Sequence, residues 1–436
     1  MDYSENKMAK NKIIRSVKGT RDYYPEDMAI RTWLYGKMRQ ISEAFGYSEF
    51  EAPLLEPFEL YAAKSGEEIV EKQSYVFTDR GGERITLRPE LTPSLARMVA
   101  ARQQQLTYPL RWWSFGPFWR YERPQKGRTR EFFQWNIDMI GDPSPEADAE
   151  IISIAAKFFK LLDLQPQDVQ ILVNDRRLMD RETFALGIKE NEREEVYQLI
   201  DRKDKMTPQQ WETNARKIGL DKVQIKNIES LISNNELWKK SDELQKVLSS
   251  LETYGVMEYI KFAPYILRGL IYYTGTVFEA WDTSGEFRAL FGGGRYDNLV
   301  KDVGGRDVGA VGFAVGDLVI TLLLKSLKKL PQFGETPAEI FVTTFDKEHL
   351  RPSIKLAMEL RQAGFRVTNH LKFEKLGKQL RYASKIGSKF ALILGPEEMK
   401  KNQVSMKNLD SGEQENIPRD RVIKRINKLL EANKSS

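Results

Sequence analysis

The chain has 436 residues, 41% hydrophobic and 30% charged, which predicts a soluble protein of two or three domains at about 150 residues each. It has no cysteine and two histidines, His349 and His370. That excludes disulfide scaffolds, thiolate zinc or iron–sulfur sites, thiol nucleophiles and three-histidine metal centres, and it argues against a Ser-His-Asp hydrolase. The net charge of +6 is uneven: residues 331–436 hold 20 Lys+Arg against 13 Asp+Glu, or +7, leaving −1 for the rest. A basic C-terminal third suits a polyanion such as nucleic acid, although a solubilising lysine-rich surface has the same composition.

Residues 1–15 read as a polar, mobile tail. They have no apolar signal core, and Asp2 and Glu5 argue against a transit peptide. No apolar run approaches 18 residues, so no membrane span is expected and a cytoplasmic location is. After Pro25, Met28, Ile30, Trp33, Leu34, Met38, Ile41 and Phe45 recur at helical spacing, with Gly46 as the stop. Tyr47 to Pro53 reads as a strand, 75–88 as a hairpin turning at Gly81-Gly82, and 89–105 as a helix. Pro145 to Leu164 is an amphipathic helix and Ile171 to Val173 a short strand. Residues 175–257 are charged and almost free of Gly and Pro, hence a helical insertion; 262–320 return to Gly-rich, aromatic, strand-like sequence. Lys325 to Pro337 is a linker. Beyond it, strands at 339–345, 365–369, 390–394 and 403–409 alternate with helices at 347–363, 375–386 and 418–431, which predicts a largely parallel sheet. The sequon Asn433-Lys434-Ser435 reads as an accident of composition.

The densest chemistry lies in 111–135. Nine aromatics (Trp112, Trp113, Phe115, Phe118, Trp119, Tyr121, Phe132, Phe133, Trp135) alternate with Arg111, Arg120, Arg123, Lys126, Arg128 and Arg130. The aromatics alone read as a buried hairpin. Six cations around one loop point to a polyphosphate or nucleic-acid end, because guanidinium forks pair with phosphate and are costly beside a core without a partner. In Leu87-Arg-Pro-Glu-Leu-Thr-Pro93, Glu90 and Thr92 read first as helix-capping residues, and Glu90 second as a ligand for an ammonium group. Leu267-Arg-Gly-Leu-Ile-Tyr-Tyr-Thr-Gly-Thr276 sets Arg268 beside an apolar strand. Gly292-Gly-Gly-Arg-Tyr-Asp297 is neither a P-loop nor a Rossmann turn. Gly309 to Gly316 is a small-residue strand entering a helix, a sign of close packing.

Taken in order, these segments resemble the histidyl-tRNA synthetases, a class II aminoacyl-tRNA synthetase family. The likeness runs from Lys18-Gly-Thr-Arg-Asp22 to the C-terminal helix. Phe118-Trp-Arg-Tyr-Glu-Arg-Pro-Gln-Lys-Gly-Arg128 is similar to motif 2 of the class, and the 267–276 and 292–297 segments to two signatures of the histidine enzymes. The resemblance implies an α+β catalytic domain over 16–325, built on an antiparallel sheet with flanking helices and carrying the insertion at about 175–257. It also implies a linker at 326–336 and an α/β anticodon-binding domain over 337–436. By the same resemblance the chain is a homodimer, with an interface motif near 45–60, and a histidine–tRNA ligase acting on L-histidine, ATP with Mg²⁺, and tRNA(His). Glu90 and Thr92 would meet the amino end of histidine. Arg120 would bridge its carboxylate and the ATP α-phosphate, Arg128 would hold the distal phosphates, and Arg268 would be the second α-phosphate arginine. Gln134 and Asp138 would complete the amino-acid pocket, with Tyr272 and Tyr273 near the imidazole. Arg123, Gln125 and Arg130 on the same loop face either the tRNA acceptor end or solvent.

One departure stands out. Motif 3 of the family commonly ends Gly-x-Glu-Arg, but here Gly316 is followed by Asp317-Leu-Val-Ile320, so Val319 stands where an ATP-clamping arginine is expected. That change leaves two other readings open, a regulatory subunit of ATP phosphoribosyltransferase and a non-catalytic tRNA sensor.

Overall fold

The computed structural model describes residues 13–62, 73–125, 127–203, 206–267, 272–333 and 337–432. Most of the expected N-terminal tail, the sequon and part of the linker lie outside them. The chain divides into two compact units, the first holding residues up to Asp22 with Ile30–Leu330, the second Tyr23–Ala29 with Pro331 onward.

In the first unit, α1 (Pro25–Ala44) buries Leu34, Met38 and Ile41 and stops where Gly46 turns at φ +78°. The expected strand at 47–53 shrinks to β1 (Ser48–Glu49), because Pro53 has no N–H for a ladder and Glu51 turns aside to Arg88. β2 (Leu55–Pro57) precedes a short helix α2 (Glu59–Ala62). The Gly81-Gly82 hairpin is present as β3 (Tyr75–Thr78) and β4 (Arg84–Leu87). With β2 on its other side, β4 forms an antiparallel three-stranded sheet. Next come α3 (Thr92–Arg102), the hairpin of β5 (Leu110–Trp119) and β6 (Glu131–Ile140), and α4 (Pro145–Leu161). The Ser144 side chain caps α4, accepting from the Ala147 N–H at 3.2 Å.

β7 (Val169–Asp175) leads into the expected helical insertion: α5 (Arg176–Ala185), α6 (Glu190–Asp201), α7 (Pro208–Lys217), α8 (Lys222–Ile232) and α9 (Asp242–Thr253). Most of their charges lie at the surface, Arg176 excepted, and Trp211, Ile228, Leu244, Val247 and Leu251 are buried. β8 (Ile260–Phe262), β9 (Thr276–Asp282), β10 (Phe291–Tyr296), α10 (Leu299–Asp302), β11 (Ala310–Gly316) and α11 (Asp317–Ser326) complete the unit.

The main sheet has eight strands in the order β1-β5-β6-β11-β10-β9-β7-β8, antiparallel inside and parallel only at its two edge pairs. One face packs on α4, where Ile151, Ile154, Phe158 and Phe159 are fully buried and Trp135 meets Phe158 and Phe313 at 4.9 and 5.1 Å. Each such aromatic contributes about 1.5–3 kcal/mol relative to an exposed side chain. The other face stays open.

The second unit carries β12 (Ile340–Val342), α12 (Leu350–Gln362), β13 (Val367–Asn369), α13 (Leu376–Lys385), β14 (Phe390–Ile393), α14 (Pro396–Lys400), β15 (Gln403–Asn408), β16 (Gln414–Pro418) and α15 (Val422–Ala432). The sheet, ordered β13-β12-β14-β15-β16, is parallel over its first three strands and antiparallel over the rest, not largely parallel. Helices α12 and α13 cross over between parallel strands, whereas a turn through Gly412 at φ +76° folds β15 directly back into β16.

Candidate active site

The open face of the main sheet floors a cleft of about 760 Å³. Strand alternation decides which side chains enter it. On β6, Phe132, Gln134, Asn136 and Asp138 line the cleft, while Phe133, Trp135 and Ile137 are buried. On β9, Glu279 and Trp281 line it while Phe278 and Ala280 are in the core. The glycines of β10 and β11 let the strands close up: a Cβ on Gly293 would run into the Gly312 carbonyl, and one on Gly312 into the Asp138 carboxyl. Gly292–Asp297 is therefore sheet floor and not a phosphate loop. Its arginine, Arg295, points to the core face, where Nη2 meets Asp148 Oδ1 at 2.6 Å and the guanidinium donates to the Asp142 and Ser144 carbonyls, each at 3.1 Å.

Of the residues singled out in the sequence, Glu90, Thr92, Arg120, Arg128, Gln134, Asp138, Tyr272 and Tyr273 all line this one cleft. Arg268 and Lys126 lie outside the described residues. Glu90 and Thr92 are not helix caps: the N-cap of α3 is Leu91, which has no side-chain cap bond, and Thr92 is the first helical residue. Glu90 is buried, and its Oε2 accepts from Tyr272 Oη at 3.4 Å. Asp138 is buried and accepts from Tyr296 Oη at 2.7 Å. Burial pushes its carboxyl up to about 7, although the Tyr296 hydrogen bond opposes the rise. Tyr272 stands edge-on to Tyr296 and tilted against Tyr273. Arg120 donates from Nε to the Pro89 carbonyl at 2.9 Å and lies 5.3 Å over the Phe132 ring.

The six cations around the hairpin part company. Arg111 turns away to Glu150 at 3.0 Å, and Arg130 packs 3.9 Å over the Tyr121 ring. Arg128 pairs with Glu122 on the cleft wall, Nη2 to Oε1 at 2.5 Å. Gly127, at φ +75°, brings this loop against α11, where a Cβ would sit 3.4 Å from Val319 Cγ2. Phe118 and Phe132 stack at 5.9 Å, so most of the aromatics pack as the hairpin reading expects.

Three further lining residues, not marked by any sequence motif, bear on the chemistry of the cleft. Asn136 is buried, and its Nδ2 has no hydrogen-bond partner among the described residues; its place between Gln134 and Asp138 on the same strand face was the available signal. Asp317, the first residue of α11, is buried, and burial raises its carboxyl despite Arg21 and Arg31 nearby. Arg288 stands in the β9–β10 turn and had no sequence signal beyond its charge. Together these groups offer a buried, hydroxyl-lined end beside an open, arginine-bearing end. That polarity suits a small amino acid joined to a larger anion.

The sequence matches the family model for histidyl-tRNA synthetase over residues 19–317 and the anticodon binding domain model over 339–429. It is 38% identical to the histidine–tRNA ligase of Opitutus terrae, with 94% of this chain and 97% of that one covered. To the Thermoplasma volcanium histidine–tRNA ligase it is 39% identical, covering 92% and 96%. The fold follows that of the Nostoc histidyl-tRNA synthetase with a TM-score of 0.83 at 24% identity, covering 96% of this chain and all of that one. With a family model matched from Gly19 to Asp317 and relatives aligned over nearly its full length, the chain belongs to the histidyl-tRNA synthetase family.

Proposed function

We infer that this protein is a histidine–tRNA ligase: it activates L-histidine with ATP and transfers the histidyl group to the 3′ end of tRNA(His). The observation that carries the reading is the convergence in one cleft of Glu90, Thr92, Arg120, Gln134, Asp138, Tyr272 and Tyr273, drawn from four separate segments. Relatives that cover both units and bear the ligase name favour the enzyme over a regulatory subunit or a sensor.

The chemistry follows from charge. A histidine carboxylate oxygen attacks the α-phosphorus of ATP; a new P–O bond forms as the bond to the β-phosphate oxygen breaks, and pyrophosphate leaves with the electron pair. Both partners are anions, so cations must suppress their repulsion and stabilise the charge developing in flight. We assign that task to Arg120 and Arg268, and the distal phosphates to Arg128, which would exchange Glu122 for phosphate. No general base is required, because the nucleophile is already ionised at pH 7. Glu90 and Thr92 receive the ammonium group. Gln134, Asp138, Tyr272 and Tyr273 surround the imidazole, where paired hydrogen bonds reject analogues lacking a ring nitrogen. Mg²⁺ arrives as Mg·ATP, a substrate ion held mainly by phosphates. In the second step the terminal ribose hydroxyl attacks the adenylate carbonyl and AMP departs.

The second unit supplies an exposed face on and before α13 that suits tRNA: Lys372, Lys375, Lys378, Arg381 and Lys385, with Phe373 and Tyr382 among them. A homodimer is supported by the exposed Leu54, Leu55, Val76 and Phe77 on and beside the three-stranded sheet. No helix of the described residues is long and apolar enough to cross a membrane. The deciding experiment is ATP–pyrophosphate exchange: exchange with histidine alone among the amino acids supports the ligase, and its absence from a folded protein that still binds histidine removes it.

A further inference from the structure

The turn between β9 and β10 holds a cation rigidly at the mouth of the cleft. Asp282 organises the turn, accepting from the Ser284 hydroxyl at 2.5 Å, the Glu286 N–H at 2.9 Å and the Phe287 N–H at 3.1 Å. Phe287 and Leu290 are buried on either side, and the Leu290 N–H continues the ladder to the Ala280 carbonyl at 2.7 Å. Arg288 lies between these anchors, exposed on the cleft side, and lines the same cavity as Arg120. Among the described residues no carboxylate or hydrogen-bond acceptor pairs with it. Partial burial, and then the like charge of Arg120, lower its basicity.

Two guanidiniums facing one cavity, the second without a counter-ion, repel each other until an anion lies between them. The start of α11 supplies no cation there, since Val319 and Leu322 are the α11 residues that meet the loop at Gly127, and Arg128 on that loop is paired with Glu122. We propose that Arg288 joins Arg128 in binding the β- and γ-phosphates of ATP, and so the departing pyrophosphate, while Arg120 holds the α-phosphate. The proposal rests on the cleft being the ATP and histidine site. It makes the β9–β10 turn, and not the start of α11, the partner of the Arg128 loop in the distal phosphate clamp of this chain.

Full-length Arg288→Ala and Arg288→Lys proteins test it in histidine-dependent ATP–pyrophosphate exchange, alongside thermal unfolding. With Arg288→Ala, KM should rise for both ATP and pyrophosphate by about 10–100-fold, the usual effect of losing a charge-assisted pair. KM for histidine should stay within about 3-fold and the melting temperature unchanged, with Arg288→Lys intermediate because it keeps the charge and loses the fork. An Arg288→Ala KM for pyrophosphate within about 3-fold of the parent overturns the assignment, as does an equal rise for histidine. A parent protein that shows no histidine-dependent exchange removes the underlying reading as well, a result distinct from an active parent insensitive to Arg288.

Discussion

Arg295 and Arg288 stand seven residues apart, one in β10 and one in the turn that feeds it, in opposite surroundings. Arg295 faces the core, where Asp148 neutralises it; burial works against the guanidinium, and the carboxylate outweighs that, so its basicity rises. Thr276 donates to the same carboxylate at 2.6 Å. Arg288 faces the cleft and another arginine, and its basicity falls. A cation matched at every polar atom holds a fold together. A cation held in place and left unmatched is available to a ligand.

The comparison breaks most severely if Arg295 is truncated. Arg295→Met strands Asp148 in the core, and unfolding in urea should show a loss of about 3–5 kcal/mol. Next comes Arg120→Ala, expected to slow histidine-dependent exchange by about 10²–10³-fold. Arg120 donates to the Pro89 carbonyl at the cleft, and losing that bond should cost about 1 kcal/mol of stability. If the two variants exchanged these phenotypes, the division between floor and mouth would be wrong. Tyr296→Phe should be milder, costing about 1–3 kcal/mol by leaving the buried Asp138 carboxyl without its donor.

That carboxyl also sharpens the contrast through pH. Asp138 sits near 7 in the folded chain against an ordinary value near 4, so between those values the folded state holds more protons than the unfolded state. Its contribution to stability is present below about pH 4 and is lost as pH rises through about 7. Asp138→Asn should flatten that part of a stability–pH profile; an unchanged profile would show that Asp138 is ionised throughout. The smallest effect belongs to an arginine that is both exposed and paired. Arg216→Ala, which breaks the 2.6 Å bridge to Glu212 on α7, should leave the unfolding midpoint and the exchange rate at parental values.

Much of the frame was readable locally. The stop at Gly46, the Gly81-Gly82 hairpin, the apolar stripe of α4 and the helical character of the insertion follow from periodicity and turn chemistry between near neighbours, whereas its division into five helices does not. The even-numbered polar residues of β6 were readable too, yet Asn136 was passed over because motif reading weighs charge and not strand alternation. The mixed C-terminal sheet departs from the parallel expectation because the short connection through α14 returns β15 antiparallel to β14, and the Ser411-Gly412 turn then folds β16 back on β15.

What the sequence determined by itself was the set of elements, the crowding of cations beside aromatic strands, and a family resemblance strong enough to specify the chemistry. What the tertiary structure decided was the partner of each charge. Arg295 finds Asp148 across 147 residues, and Glu90 meets Tyr272 across 182. Arg128 has a carboxylate six residues away, while Arg288 has none among the described residues. Local propensity acts over a few residues. Charge compensation acts across whatever the fold brings within a few ångströms, so the same side chain becomes a structural rivet in one place and a phosphate clamp in another.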